Sequence, residues 1–324
     1  MYLMAYSTLR VNFPSTFPMI PRRSSYPILH SFSPKPPILN LRLYSSPLRI
    51  PKLISHVSSV QEAFGSAISL IQSSPSTWES ALASNLLIFL LGSPLLVAGL
   101  SLSGIAAAFL LGTLTWRAFG PSGFLLVSAY FIIGTAVTKV KMAQKEAQGI
   151  AEKRKGRRGP GSVVGSSAAG CLCAFLSIYG FGGQAFSQLW LLGFVASFCT
   201  KLSDTVSSEI GKAYGKTTYL VTTFKIVPRG TEGAVSVEGT LAGIVASIVL
   251  AFLGCLLGKI NTFEAAICVL ASQIANLGES FIGAALQGKK GFQWLTNDVA
   301  NVINISTGSV MAILLQLALQ KLNM

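Results

Sequence analysis

Charge is what this sequence has least of. Asp, Glu, Lys and Arg make up 11% of its 324 residues, against 51% hydrophobic residues and a mean hydropathy of +0.59. Soluble chains carry about 25% charged residues. At less than half that level a soluble monomer could not cover its surface, which excludes a soluble enzyme. Acids are scarcer than bases, 11 against 25, and none precedes Glu62. The two histidines, His30 and His56, lie in the same acid-free segment. Once that segment is gone, neither Ser-His-Asp nor Cys-His chemistry nor an imidazole metal site can be built. Cys171, Cys173, Cys199, Cys255 and Cys268 form no Cys-x-x-Cys pair and sit in apolar runs, so buried free thiols are expected.

The segment before Glu62 holds seven basic residues among Ser and Pro, as in PSTFPMIPRRSSYPILHSFSPKPP. Basic, Ser-rich and acid-free is the composition of an organelle transit peptide, and the prolines interrupt every run that could serve as a secretory core. Abundant Ser and Pro without an amphipathic Arg helix point to the chloroplast. The expected organisation is a transit peptide over 1–58, a linker over 59–84 and a membrane domain over 85–320.

Charge-free runs cover residues 80–116, 118–138, 159–200, 239–258 and 299–320, and 265–288 holds only Glu279. A bilayer helix needs about 20 apolar residues. Breaks at Ser101-Leu102-Ser103-Gly104 and at Tyr179-Gly180-Phe181-Gly182-Gly183 turn the runs into an all-α polytopic bundle of seven to eight spans. They are 85–101, 103–119, 121–140, 161–179, 186–202, 238–258, 264–287 and 301–320. Pro94 can kink the first of these, and one broken segment in place of the first two spans is the alternative. With eight spans, loops 141–160, 203–237 and 288–300 share a side. Of the 18 basic residues after Glu62, only Arg117, Lys259 and Lys321 fall opposite. The positive-inside rule then puts the basic side in the stroma, for a protein of the chloroplast envelope membrane. The run Lys153-Arg154-Lys155-Gly156-Arg157-Arg158 reads as a topology anchor.

Acids at membrane spans are costly and mark function. Asp204, Glu209, Glu232, Glu238, Glu279 and Asp298 gather towards the basic side. On a helix leaving the membrane, Asp204, Ser208, Gly211 and Gly215 share one face, and Thr205, Glu209, Lys212 and Lys216 the next. The first face suits a Mg²⁺-bound phosphate. Gly211-x-x-x-Gly215-Lys216-Thr217 is one residue short of a P-loop and follows a helix, so it is no Walker A site; its amides and Lys216 still suit a phosphate. Lys225 and Arg229 then precede Gly230-Thr231-Glu232-Gly233, backbone that opens the next helix, where phosphate is favoured. Asn297, Asn301 and Asn304 share a helical face and need hydrogen-bond partners, as interhelical glue or as a binding surface.

Three stretches carry a resemblance: Asp204-Thr205-x-x-Ser208-Glu209-Ile210-Gly211, Pro228-x-Gly230-Thr231-Glu232-Gly233-x-x-Ser236-x-Glu238-Gly239, and Asn297-Asp298-x-x-Asn301. They resemble a family of polytopic membrane proteins of bacteria, plants and animals, itself distantly similar to phytol kinase and dolichol kinase. The resemblance spans about residues 85–320. It implies a plastid phytyl-phosphate kinase: transfer from a nucleoside triphosphate, CTP first, to phytyl phosphate, giving phytyl diphosphate for tocopherol and phylloquinone synthesis. It implies Mg²⁺ on Asp204 and Glu209 with Asp298, and Lys225 and Arg229 on phosphates. Gly211, Gly215, Lys216, Gly230, Thr231, Glu232 and Gly233 would surround the nucleotide. Glu279 would pair with Asp298 as second carboxylates, flanked by Asn297 and Asn301. Arg229-Gly230-Thr231 stands where the kinases carry Lys-Thr. The expected partners are the bilayer, phytyl phosphate and the nucleotide, with no nucleic acid. The alternative is a transporter of an anionic or lipid solute, which glycine-broken helices and an intramembrane Glu279 also suit. A transporter wants its charges near the midplane, whereas here most lie at one interface.

Overall fold

The computed structural model describes residues 75–322; the expected transit peptide and the linker as far as residue 74 lie outside the described residues. Helix begins earlier than expected. α1 (Trp78–Leu91) starts inside what reads as linker, because Thr77 caps it by accepting from Ser80 N and Glu79 sits in the first turn, where the helix dipole favours an acid. It stops at Gly92. Pro94 lies in the first turn of α2 (Ser93–Gly99), where its missing N–H costs nothing, and the two helices meet at 79°. The span expected over 85–101, with a kink allowed at Pro94, is therefore a bent pair.

α3 (Leu102–Thr138) begins at a Ser101 cap. As a straight helix its 37 residues would run about 55 Å. Gly120, with φ 70 and ψ −168 and followed by Pro121, breaks it. The two legs fold back on each other. Phe124 packs on Trp116 with centroids 5.5 Å apart, and a Cβ on Gly112 would lie 2.9 Å from the Phe124 ring. Along a straight helix those twelve residues would separate Gly112 and Phe124 by about 18 Å. The break falls between the segments expected at 103–119 and 121–140.

A short α4 (Met142–Ala147) leads to the five remaining long helices: α5 (Pro160–Ile178), α6 (Gln184–Tyr214), α7 (Val237–Leu256), α8 (Thr262–Ala285) and α9 (Asn297–Leu322). By length and composition six helices, α3 and α5 to α9, can cross a membrane. The centre is α6, whose Leu192, Phe194, Val195, Phe198 and Leu202 are fully buried. Against it α7 approaches backbone to backbone. A Cβ on Gly239 would meet Ser207 O at 2.5 Å and Gly211 Cα at 3.2 Å, and one on Gly243 would collide with Ser207 Oγ. Small residues permit this approach in lipid, where packing drives helix association.

Contacts between loops fix the ends of the bundle. Arg158 N donates to Gly99 O at 2.8 Å, Ser101 N to Arg158 O at 3.0 Å, and Lys212 to Glu152 at 2.9 Å. Gly230 packs on Ile150, and Gly233 on Ser280 and Ala284. The connections 139–159, 215–236 and 286–296 thus meet at one end. At the other, Gln188 reaches Lys259 O at 3.2 Å. All five cysteines are free thiols.

Candidate functional site

The charge cluster is built on the last turns of α6, which continue past the expected span end at 202. Lys201 is buried. Its ammonium donates to Asp204 Oδ2 at 2.5 Å, one turn on, and to Asn301 Oδ1 of α9 at 2.6 Å. From α8, the carboxyl of Glu279 lies beside that of Asp204. Asn304 donates to Glu279 Oε2 at 2.6 Å and to Asn276 Oδ1 at 2.9 Å, and Asn276 donates to Ser203 Oγ at 2.9 Å. Glu279 stands six residues before the last residue of α8, about 9 Å along the axis. The cluster is therefore near one end of the bundle, with three helices contributing.

Glu209 does not share it. Five residues after Asp204, it points about 140° around the helix. It is buried against the fully buried Lys145 of α4, with Lys212 at 3.3 Å. Lys212 in turn holds Glu152 at 2.9 Å. This network of two lysines and two acids ties residues 145–152 to α6. Lys141 adds to the tie: its ammonium donates to Ala213 O at 3.3 Å at the helix C-terminus and sits 3.9 Å from the Tyr214 ring centre. The expectation that Asp204 and Glu209 act together is corrected by this geometry, since Glu209 already has two cations.

Further expected residues also have other surroundings. Gly211 and Gly215 face Ser236 and the α7 backbone, where their missing side chains serve packing. The Lys216 amide donates to Glu238 Oε1 at 3.3 Å. Between α6 and α7 the chain forms a small ribbon, β1 (Tyr219–Leu220) antiparallel to β2 (Ala234–Val235). Lys225 is exposed on it, and among the described residues neither Lys225 nor Arg229 forms an ion pair. Pro228 to Thr231 make a turn, closed by Thr231 N and Oγ1 on Pro228 O, with Gly230 at φ 81 in the position that requires glycine. Gly233, at φ 71, lies flat on the α8 backbone at Ser280 and Ala284. Asn297 is exposed. Asp298 packs on Gly161 and Gly165 at the start of α5, a favourable place for a carboxylate, so Glu279 partners Asp204 and not Asp298.

Glu232 is near enough to Glu152 and Asp204 to be influenced by them. Although the residue is exposed, partial loss of water around its carboxyl, aided by these acids and opposed by Lys212, pushes it above the usual range. For Glu152 burial also raises the value, but the Lys212 ammonium outweighs it and holds the carboxyl below that range. Lys145 and Lys212 thus face Glu152 and Glu209, and Lys201 faces Asp204 and Glu279, with the exposed Glu232 near both groups.

A Mg²⁺ ion fits this donor set. Among the described residues no three acids, cysteines or histidines group closely enough to cage a metal, but Mg²⁺ is commonly held by one or two carboxylates together with substrate phosphates. Asp204 and Glu279 supply such a pair. Beside them Asn304 Oδ1 is buried and, among the described residues, without a hydrogen-bond partner, an oxygen that a cation would satisfy.

Lys201 and Asn276 join the Asp204–Glu279 cluster, and Lys145 and Glu152 the Glu209 network, beyond the expected site residues, while Asn304 comes from the expected asparagine face. The i, i+3 spacing of Lys201 and Asp204 was a usable signal for the first. Nothing local marks Lys145, whose partner is 64 positions away.

The profile of the family described as Integral membrane protein DUF92 matches residues 85–309. Protein VTE6, chloroplastic, of Arabidopsis thaliana is 72% identical over 274 residues, covering 85% of this chain and 82% of the relative. A membrane protein of Synechocystis sp. is 54% identical over 211 residues, 65% of this chain and 80% of its own. One of Methanocaldococcus jannaschii is 30% identical over 213 residues, 65% of this chain and 84% of its own. No solved structure is significantly similar.

Proposed function

The chain belongs to the DUF92 family of integral membrane proteins, and from that premise we propose that it is a chloroplast-envelope kinase for a prenyl phosphate, phytyl phosphate first, with CTP as the donor. The observation that carries this reading is the buried Lys201–Asp204–Glu279–Asn304 cluster, about 9 Å inside one end of a lipid-embedded bundle. An amphiphile with its chain among the helices presents its phosphate at that depth. The similarity to a chloroplastic relative named VTE6 supports the compartment and a place in tocopherol synthesis. The basic loops on the same end support a stromal orientation.

In the reaction an oxygen of the acceptor phosphate attacks the terminal phosphorus of the nucleotide. A new P–O–P bond forms, the bond to the β-phosphate oxygen breaks, and the nucleoside diphosphate leaves. Such transfers need positioning and charge neutralisation more than covalent help from protein. Asp204, Glu279 and Asn304 Oδ1 would hold Mg²⁺, which when bound neutralises phosphate charge. Lys201, anchored by Asn301, offers its ammonium to the same phosphates and keeps the Asp204 carboxylate oriented. Lys225 and Arg229, outside the bundle and unpaired among the described residues, are the cations for the nucleotide. Clustering at one end favours this reading over a transporter, which would hold its charges at mid-depth.

The test is direct. Purified full-length protein is given radiolabelled prenyl monophosphates with each nucleoside triphosphate. Diphosphate formation is expected, fastest with CTP. No product with any nucleotide, together with flux of prenyl phosphate across proteoliposomes, would transfer the assignment to a transporter.

A further inference from the structure

Between α2, the two legs of α3 and the start of α5 lies a cavity of about 80 Å³. Its walls are apolar, with Leu96, Leu111, Val127 and Phe131 prominent. Three serines also reach it, but their hydroxyls are turned away: Ser128 donates to Phe124 O, Ser166 to Ser162 O and Ser167 to Val163 O, at 2.7 to 2.9 Å. The walls thus offer water no partners, and a cavity of that kind takes apolar matter.

One end is different. Arg158 Nη1 donates to Tyr130 Oη at 2.5 Å, and the guanidinium lies 5.1 Å from the Tyr130 ring centre. Its Nη2 fills the space a Cβ on Gly134 would need, 2.7 Å away. The Arg158 backbone is pinned on both sides, to Gly99 O and Ser101 N. Among the described residues no carboxylate pairs with it. The Tyr130 ring packs 5.4 Å from that of Phe198, three residues before Lys201 on α6. The cavity therefore runs from Phe89 and Leu96, on the two helices of the bent pair, to a fixed guanidinium, unpaired among the described residues, that one aromatic contact connects to the stretch of α6 carrying Lys201.

We propose that this cavity takes the head-proximal carbons of a phosphorylated isoprenoid lipid, with Arg158 holding its phosphate beside Lys201 and Asp204. The inference rests on the kinase reading for the role of that lipid as acceptor, but not for its binding. Since about 150 Å³ accommodates the six carbons of a benzene ring, the volume here holds about three carbons, the head-proximal part of the first isoprene unit. The rest of the chain lies along the lipid-facing wall of α2, where Leu95 and Val97 are exposed. The shape of the first isoprene unit is then selected, and total chain length is not.

The experiment uses full-length protein in nanodiscs and a prenyl monophosphate with a diazirine on its first isoprene unit. Crosslinks should map to Leu96, Val127 and Phe131. Excess unlabelled prenyl monophosphate should compete, and the prenyl alcohol should compete poorly. Arg158→Gln, which keeps the pinned backbone, should lower labelling and raise the KM for the acceptor about tenfold, with the nucleotide KM unmoved. Ala108→Phe should block labelling by filling the cavity, and Leu111→Phe repeats that test should the first variant fold poorly. Competition by phosphatidic acid as strong as by prenyl phosphate would make the occupant a bilayer lipid and overturn the acceptor assignment. Cavity crosslinks without transfer from any nucleotide would leave the site standing and remove the kinase. Normal transfer with an unchanged acceptor KM in folded Arg158→Gln would do the reverse.

Discussion

Lys201 and Asp204 lie one turn apart on α6, with the ammonium 2.5 Å from the carboxylate. The pair is turned to the interface with α8 and α9, so the same two side chains are available to a bound phosphate and to the bundle. Asp204→Asn keeps the shape and one acceptor for Lys201 but removes the charge. Loss of a metal-holding carboxylate in phosphoryl transfer should lower the rate about 10³-fold or more. Transfer assays on the detergent-purified variant, with thermal unfolding in parallel, check this. A folded Asp204→Asn protein with near wild-type transfer would take Asp204 out of the site.

Glu209 should answer differently from Asp204. Removing one partner of a buried ion pair costs about 3–5 kcal/mol, because the other charge is left buried alone. Glu209→Gln and Lys145→Met should each lower the unfolding temperature sharply. The double variant should recover a good part of the loss. Equal damage from the double and single variants would mean that the pair is not the source of the effect.

Gly233 and Gly278 form a matched contrast. Gly233 has φ 71, and a Cβ there would run into the α8 backbone, whereas Gly278 sits in a helix with open space around it. Gly233→Ala should loosen the 215–236 connection, seen as faster proteolysis at the exposed Lys225. Gly278→Ala should be neutral or stabilising by up to about 1 kcal/mol.

Glu232 gives a pH test. Its folded-state pKa is raised above the ordinary 4.5, so its ionised form costs stability above the folded value, and that cost disappears below the unfolded one. Glu232→Gln should therefore melt higher than wild type at pH 7, and the difference should close as pH falls towards 4.5. A gap that persists or widens at low pH would contradict the assigned surroundings of Glu232.

The shared end of the connections can be read with cysteines placed at Lys153, Thr223 and Lys289 in a Cys-free background, all exposed positions. They should react together with an impermeant thiol reagent, and Phe181→Cys and Thr262→Cys should react from the opposite side. Mixed behaviour among the first three would break the topology.

Most of the helices were legible because lipid imposes a local rule: a long charge-free run must become a helix, and clusters of Gly, Ser and Pro mark where it turns. The Ser101 and Tyr179–Gly183 breaks and the polar ends follow from that rule. The start at Trp78 was hidden because Glu79 looks like an end of the apolar run, although it sits in the first turn just after the Thr77 cap. The acids of the site were also visible, as costly residues near membrane ends. Their pairing was not. Whether Glu279 meets Asp204 or Asp298 depends on how α8 and α9 lean on α6, and Lys145 reaches Glu209 only through the fold of a distant loop. That Asp204 and Glu209 meet different neighbours was readable, since the helix period puts them on separate faces.

α6 has 31 residues and so rises about 46 Å, against a hydrocarbon layer of about 30 Å. The helix is longer than that layer by about ten residues, like a mast, and the stays attached to its far end are Lys145, Glu152 and the Gly239 end of α7. Anything rigged to that mast keeps its height relative to the buried helix, not relative to the headgroups. Thickening or thinning the bilayer therefore moves the lipid surface past a stationary set of charges.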